Sequence, residues 1–96
     1  MFVRTDMPLA NQLVQVGHAC LEAGHQFSWP AQSCHMVLLA VASEEQLIRA
    51  VEYIEQQGIR VCTFYESDFP QGYAAACTEP VADERRCLFR KFRLWR

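Results

Sequence analysis

The stretch that most restricts the fold is Asp6 to Glu22, DMPLANQLVQVGHACLE. Its apolar residues recur with a helical period. Leu9, Leu13, Val16 and Cys20 stand at i, i+4, i+7 and i+11, and Val14 and Leu21 widen the same face. Asp6 is a suitable N-cap, and Pro8 falls in the first turn, where its missing N–H costs nothing. The pattern predicts a helix from about Met7 to Gly24, with Gly24 closing it and the Leu9/Leu13/Val16/Cys20 face against a sheet. The polar residues align as well. Asn11, Gln15, His18 and Glu22 repeat the same spacing, which puts two amides, an imidazole and a carboxylate on one stripe. An ordinary solvated helix face would read the same way.

The rest of the chain supplies the sheet. Phe2 to Thr5 reads as a short first strand, and the loop GHQFSWPAQS holds Phe27 and Trp29, expected to cover one end of the core. His35 to Val41 is a continuous apolar strand, as in a sheet covered on both faces. Ser43 and Gln46 form a capping box, and Leu47, Ala50, Val51 and Ile54 then keep the helical period until Gly58. Glu44, Glu45, Arg49, Glu52 and Glu55 make the solvated side of that helix. Arg60 to Glu66 is β-branched and aromatic, SDFPQG is a turn, and Gly72 to Thr78 is a strand stopped by Pro80. The order β-α-β-α-β-β, with right-handed crossovers, predicts one α/β domain over residues 1–96. It has a four-stranded mixed sheet with helices packed on its faces.

The basic C-terminal segment 85–96, RRCLFRKFRLWR, fits two conformations. Leu88, Phe92 and Trp95 suit a helix; Phe89, Lys91, Arg93 and Trp95 suit an alternating strand. Large apolar residues interleave its charges either way, which points to a docked segment or a partner contact. The net charge of −2 conceals an asymmetry. Every acid lies before residue 85, against only Arg4, Arg49 and Arg60. Arg85, Arg86, Arg90, Lys91, Arg93 and Arg96 follow with no acid among them. Such a segment either binds an anion, RNA being the obvious one, or neutralises the acidic body.

With 51% apolar residues the chain is globular. No apolar run approaches the ~18 residues of a membrane span, and the first residues lack a signal-peptide pattern; a cytoplasmic protein without membrane contact is expected. Five cysteines occur with no C-x-x-C. Cys20, Cys62 and Cys77 lie in apolar segments as small core residues. Cys34 and His35 are adjacent in a strand start, so their side chains point to opposite faces. No metal is expected. Phosphate loops, dinucleotide fingerprints and G-x-S-x-G are missing too, so no cofactor is expected.

Val3-Arg4-Thr5-Asp6, followed by Gln15-Val16-Gly17-His18-Ala19, resembles the N-terminal signature of the archaeal and eukaryotic (class II) peptidyl-tRNA hydrolases. In that family a strand ends in V-R-x-D and the next helix carries K-x-A-A-Q-x-x-H-A. HMVLLAVASEEQLIRAVEYIEQQGIRVCTFYE is similar to the family's second strand, S-E-E-x-L helix and third strand, so the likeness covers about residues 2 to 80. The departures are specific. Asn11 stands at the helix lysine. Asp68, or alternatively Glu66, stands for the family's Asp. The family's Thr falls near Tyr73-Ala74, where no hydroxyl matches, and SDFPQG is shorter than the family's glycine-rich turn. The resemblance implies a short, divergent member that pairs as a homodimer and acts on peptidyl-tRNA. It implies ester hydrolysis in which His18 activates water, Asp68 orients it, and Gln15 and Asn11 donate hydrogen bonds, without the positive charge a lysine would bring. The alternative is a noncatalytic module that keeps the fold and binds RNA or a protein.

Overall fold

A computed structural model describes residues 1–28, 35–68 and 72–96. The elements run β1 (Phe2–Arg4), α1 (Leu9–Gln26), β2 (Leu39–Val41), α2 (Glu44–Gln56), β3 (Val61–Glu66), β4 (Gly72–Thr78), a 3-10 helix (Asp83–Phe89) and β5 (Arg93–Leu94). The five strands form one mixed sheet in the order β3-β4-β1-β2-β5. The four-stranded expectation is corrected by β5, which pairs antiparallel with β2 through Leu39/Leu94 and Ala40/Arg93. Of the two conformations open to the C-terminal segment, the strand is realised only at Arg93–Leu94, where β2 offers an edge, and the residues before it form the 3-10 helix. β1 pairs parallel with β2 and antiparallel with β4, so it sits mid-sheet with Phe2 and Val3 fully buried on opposite faces. The strand expected over His35 to Val41 shrinks to Leu39–Val41. The chain before it still pairs, because Met1 N donates to Val37 O (3.1 Å) and Leu39 N to Met1 O (2.8 Å).

α2 begins as its sequence dictates. Gln46 N donates to Ser43 Oγ (3.2 Å), and Gln46 Oε1 accepts from Ala42 N (2.9 Å). Its buried residues are Leu47, Ala50, Val51 and Ile54, packed with Phe2, Leu39, Val41 and Ala76. Full burial of side chains such as Leu47 and Ile54 contributes ~1.5–3 kcal/mol each. Gly58 turns the chain at φ 84°, open to glycine. Gly72 has the same need twice over: φ is 64°, and the Glu44 carboxylate, accepting from Tyr73 N (2.8 Å), fills the space of a Cβ. The C-terminal segment is docked. Leu88, Phe89 and Phe92 pack onto the α2-side core, and Phe92 meets the Phe2 ring edge-on at 4.9 Å.

α1 covers the other face of the sheet but is rotated from its predicted setting. It buries Gln12, Gln15, Ala19 and Ala23, with Val16 and Cys20 half-buried beside Val3 and Ala75. Leu9 and Leu13, expected against the sheet, are 58% and 55% exposed; Val14 and Leu21 are 54% and 75% exposed. Two polar contacts flank the buried stripe. Trp95 Nε1 donates to Gln12 Oε1 (2.7 Å) from the β5 side, and Gln15 Nε2 donates to Glu66 Oε2 (3.2 Å) from the β3 side. Between them the small residues Ala19 and Ala23 bring the helix close to the strands. Ala10, Gly17 and Gly24 lie on the same outward arc as the exposed leucines and valine, and among the described residues nothing but the helix's own backbone and the adjoining residues lies within 4 Å of where a Cβ would stand on either glycine. Gly24 therefore does not end the helix. Asp6 does not cap it either, because Asp6 is paired with Arg4 (2.9 Å) and Pro8 takes the N-cap position.

Candidate active site

β3 is an edge strand, and α1 runs alongside it in the opposite sense. Ascending α1 and descending β3, Gln15 meets Glu66, His18 meets Phe64 and Phe27 meets Arg60. A strand side chain returns to the same face every second residue, which is why Arg60, Cys62, Phe64 and Glu66 all turn to the helix. Helical spacing offers them Gln15, His18 and, just past the last turn, Phe27.

The centre of this seam is the candidate site. The His18 ring lies flat on Phe64, 4.5 Å between centroids and 4° from parallel, with its other side toward solvent. The Glu66 carboxylate is held below the usual carboxylate range by the Asp68 N–H on Oε1 (3.1 Å) and then by the Gln15 amide on Oε2. It stays ionised in a fixed orientation at the Gln15 end of the seam, where the His18 charge acts on it through space; no hydrogen bond or ion pair joins the two side chains among the described residues. Gln15 is 4% exposed, and its Oε1 has no hydrogen-bond partner among the described residues. Beyond the seam, burial raises the Cys62 thiol, with the Glu22 charge adding to it. Cys62 and Cys20 are thus poor thiolates, and neither is placed as a nucleophile.

Of the four residues expected to carry chemistry, the structure brings Gln15 and His18 together on β3. Asp68 lies two residues past Glu66 with its side chain exposed, and it serves the seam through its backbone N–H. Asn11 is exposed one turn before Gln15, and no hydrogen bond or ion pair joins its side chain to the seam among the described residues. The carboxylate in contact is that of Glu66. Strand periodicity carried the signal, since Glu66 shares a face with Phe64. At the position of the missing hydroxyl, Ala74 is the extra residue of a bulge opposite Phe64/Tyr65 and is fully buried, while the Tyr73 carbonyl accepts from Arg4 Nη1 (3.2 Å).

The six basic residues of the C-terminal segment divide. Arg85 donates to the carbonyl of Gln57 at the end of α2, and Arg86 lies 3.8 Å from Asp83. Arg90, Lys91, Arg93 and Arg96 are exposed. Arg93 belongs to β5 and the His18 seam to β3, at opposite edges of the sheet. Phe27 is half-buried under Arg60; Trp29 and Cys34 lie outside the described residues. Among the described residues no cluster of His, Cys, Asp and Glu is arranged to hold a metal, and no helix is long and apolar enough to cross a membrane. No family model matches the chain, and no curated protein matches it.

Proposed function

We propose that the chain is a peptidyl-tRNA hydrolase-like esterase of the cytoplasm, slowed by the loss of the helix cation. It cleaves the ester between a peptide and the ribose of tRNA. The observation that carries the reading is the α1–β3 seam, where a carboxylate held by Gln15 and the Asp68 N–H lies within electrostatic range of an imidazole that stacks on Phe64 and is open to solvent. His18 takes a proton from water as the oxygen attacks the ester carbonyl. The carbonyl carbon–ribose oxygen bond then breaks, and the ribose oxygen leaves with a proton. Glu66 stabilises the imidazolium formed on the way. In the family's pattern a lysine takes the place of Asn11, and the neutral amide there is a donor roughly half as strong.

The exposed cations Arg90, Lys91, Arg93 and Arg96 support RNA as a partner. The outward face of α1 supports a homodimer. Leu9, Leu13, Val14 and Leu21 make an apolar arc, and bare Gly17 and Gly24 allow a second backbone to approach. Monomeric proteins rarely leave such a patch uncovered. The same arc also favours the second reading, a noncatalytic module that binds a protein. Release of labelled peptide from a peptidyl-tRNA by the purified chain separates the two. Slow release that His18→Ala and Glu66→Gln each reduce tenfold or more is the enzymatic result. Release no faster than in buffer, or unchanged in both variants, leaves the binding module.

A further inference from the structure

At the β2–β5 edge, on the α2 side, lies an open cleft of about 380 Å³, separate from the His18 seam and lined in part by Lys91 and Arg93, two of the cations proposed to meet RNA. Three cations far apart in the sequence reach its rim. Arg49 comes from α2, Lys91 from the turn after the 3-10 helix, and Arg93 from β5. β5 pairing places Arg93 opposite Ala40, and α2 follows β2 at once, so the topology gathers them. Among the described residues no carboxylate lines the cleft, although α2 is rich in glutamate. Glu44 is turned to Tyr73 N, and Glu45 is an exposed partner of Arg49 (2.5 Å). Such an exposed pair is worth little and yields to a better anion. Arg93 has no ion pair among the described residues, and the Lys91 ammonium is seated 3.4 Å over the Tyr53 ring.

The floor differs in character from the rim. Ala42, Ala50 and Phe92 make it apolar, and the short alanine side chains are what leave the space. Gln46 gives its amide oxygen to Ala42 N, which leaves its NH2 group as a donor toward the cleft. The volume is at the lower end of small-ligand sites, ~300–1,000 Å³, and suits one nucleotide rather than a polymer. A guanidinium fork matches phosphate geometry, and a flat ring matches an alanine and phenylalanine floor. We infer that this cleft binds a nucleotide, its phosphate on Arg49, Lys91 and Arg93 and its base on the Ala42/Ala50/Phe92 floor. The nucleotide is either free or the 5′-phosphorylated end of an RNA strand.

Calorimetric titration of the full chain with adenosine 5′-monophosphate, adenosine, inorganic phosphate and a 5′-phosphorylated triadenylate tests it. The monophosphate should bind at least tenfold more tightly than adenosine or phosphate alone. Arg49→Gln and Arg93→Gln should each weaken it about tenfold, and His18→Ala should leave it unchanged. Ala42→Trp, which fills the cleft without changing charge, should abolish binding, with a thermal melt to show that it folds. A triadenylate that binds as well as the monophosphate assigns the RNA end; a preference for the free nucleotide assigns a metabolite. A monophosphate no tighter than phosphate, or parental affinity in both arginine variants, overturns the inference.

Discussion

Gln15→Met should make the protein more stable and its site useless. The Gln15 amide is 4% exposed; Nε2 is engaged with Glu66 at 3.2 Å, and Oε1 accepts from nothing among the described residues. A buried acceptor without a donor costs about 1–3 kcal/mol. Methionine is close to glutamine in length and carries neither polar atom, so the substitution removes that cost at little change of shape. It also removes the bond to Glu66, whose carboxylate reaches water and keeps the Asp68 N–H. Because the Glu66 end is solvated, loss of that bond offsets only part of the relief; the net expectation is a gain of up to about 1 kcal/mol, and each kcal/mol raises Tm by roughly 4–8 °C in a domain of this size. Thermal and urea melts followed by circular dichroism read the gain, and peptide release read in parallel should fall. A lower Tm for Gln15→Met would refute the reasoning, because Oε1 would then have a donor in solution.

Trp95→Phe keeps the ring but strands the buried Gln12 Oε1, now 2.7 Å from Trp95 Nε1; a loss of about 1–3 kcal/mol in urea melts is expected, and no loss would mean that this bond does not hold the C-terminal segment. Asp6, Glu66 and Glu79 are held below the usual carboxylate range, by Arg4, by the Asp68 N–H and by the Arg60 N–H respectively. Their folded pKa values lie below the unfolded ones, so their stabilisation is present above the ordinary carboxylate range and is lost as pH falls through the folded values. Glu79→Gln should flatten the acid limb of a stability–pH curve, and an unchanged limb would count against this assignment. On the proposed pairing through α1, the parent should sediment as a dimer and Leu13→Lys together with Leu21→Glu as a monomer with unchanged helix content; a monomeric parent, or a double variant of unchanged mass, would remove α1 as a pairing face.

α2 was legible because every signal for it is local. Ser43, Gln46 and Gly58 mark its ends, and the residues on its helical period, Leu47, Ala50, Val51 and Ile54, are the ones it buries. α1 was legible as a helix but not in its rotation. Hydrophobic periodicity assumes that the largest side chains turn inward, whereas here Ala19 and Ala23 fit the sheet more closely and Gln12 and Gln15 have partners there. Those partners, Trp95 and Glu66, lie 83 and 51 residues away, so no local pattern announces them. For the fifth strand, alternation in the C-terminal segment left a strand open beside a helix, and only the edge of β2, far away in sequence, decides for it at Arg93–Leu94. His18 and Gln15 were readable as a helical stripe, and Glu66 was readable from the alternation of β3. The cleft rim was not readable, since Arg49 joins Lys91 and Arg93 only through sheet topology.

The central claim is that the His18 seam is a hydrolytic site that lacks mainly a positive charge at position 11. Asn11 is exposed on the polar side of α1, so Asn11→Lys should leave stability nearly unchanged. A restored charged donor acting on the transition state is worth about 1.5–3 kcal/mol, or roughly ten- to a hundred-fold in rate. The decisive measurement is the single-turnover rate of peptide release from peptidyl-tRNA by the parent, by Asn11→Lys and by Asn11→Lys with His18→Ala. The account predicts a rise of that size in the single variant and its disappearance in the double one. A folded Asn11→Lys protein that releases peptide no faster than its parent, or a rise that survives the loss of His18, would contradict it.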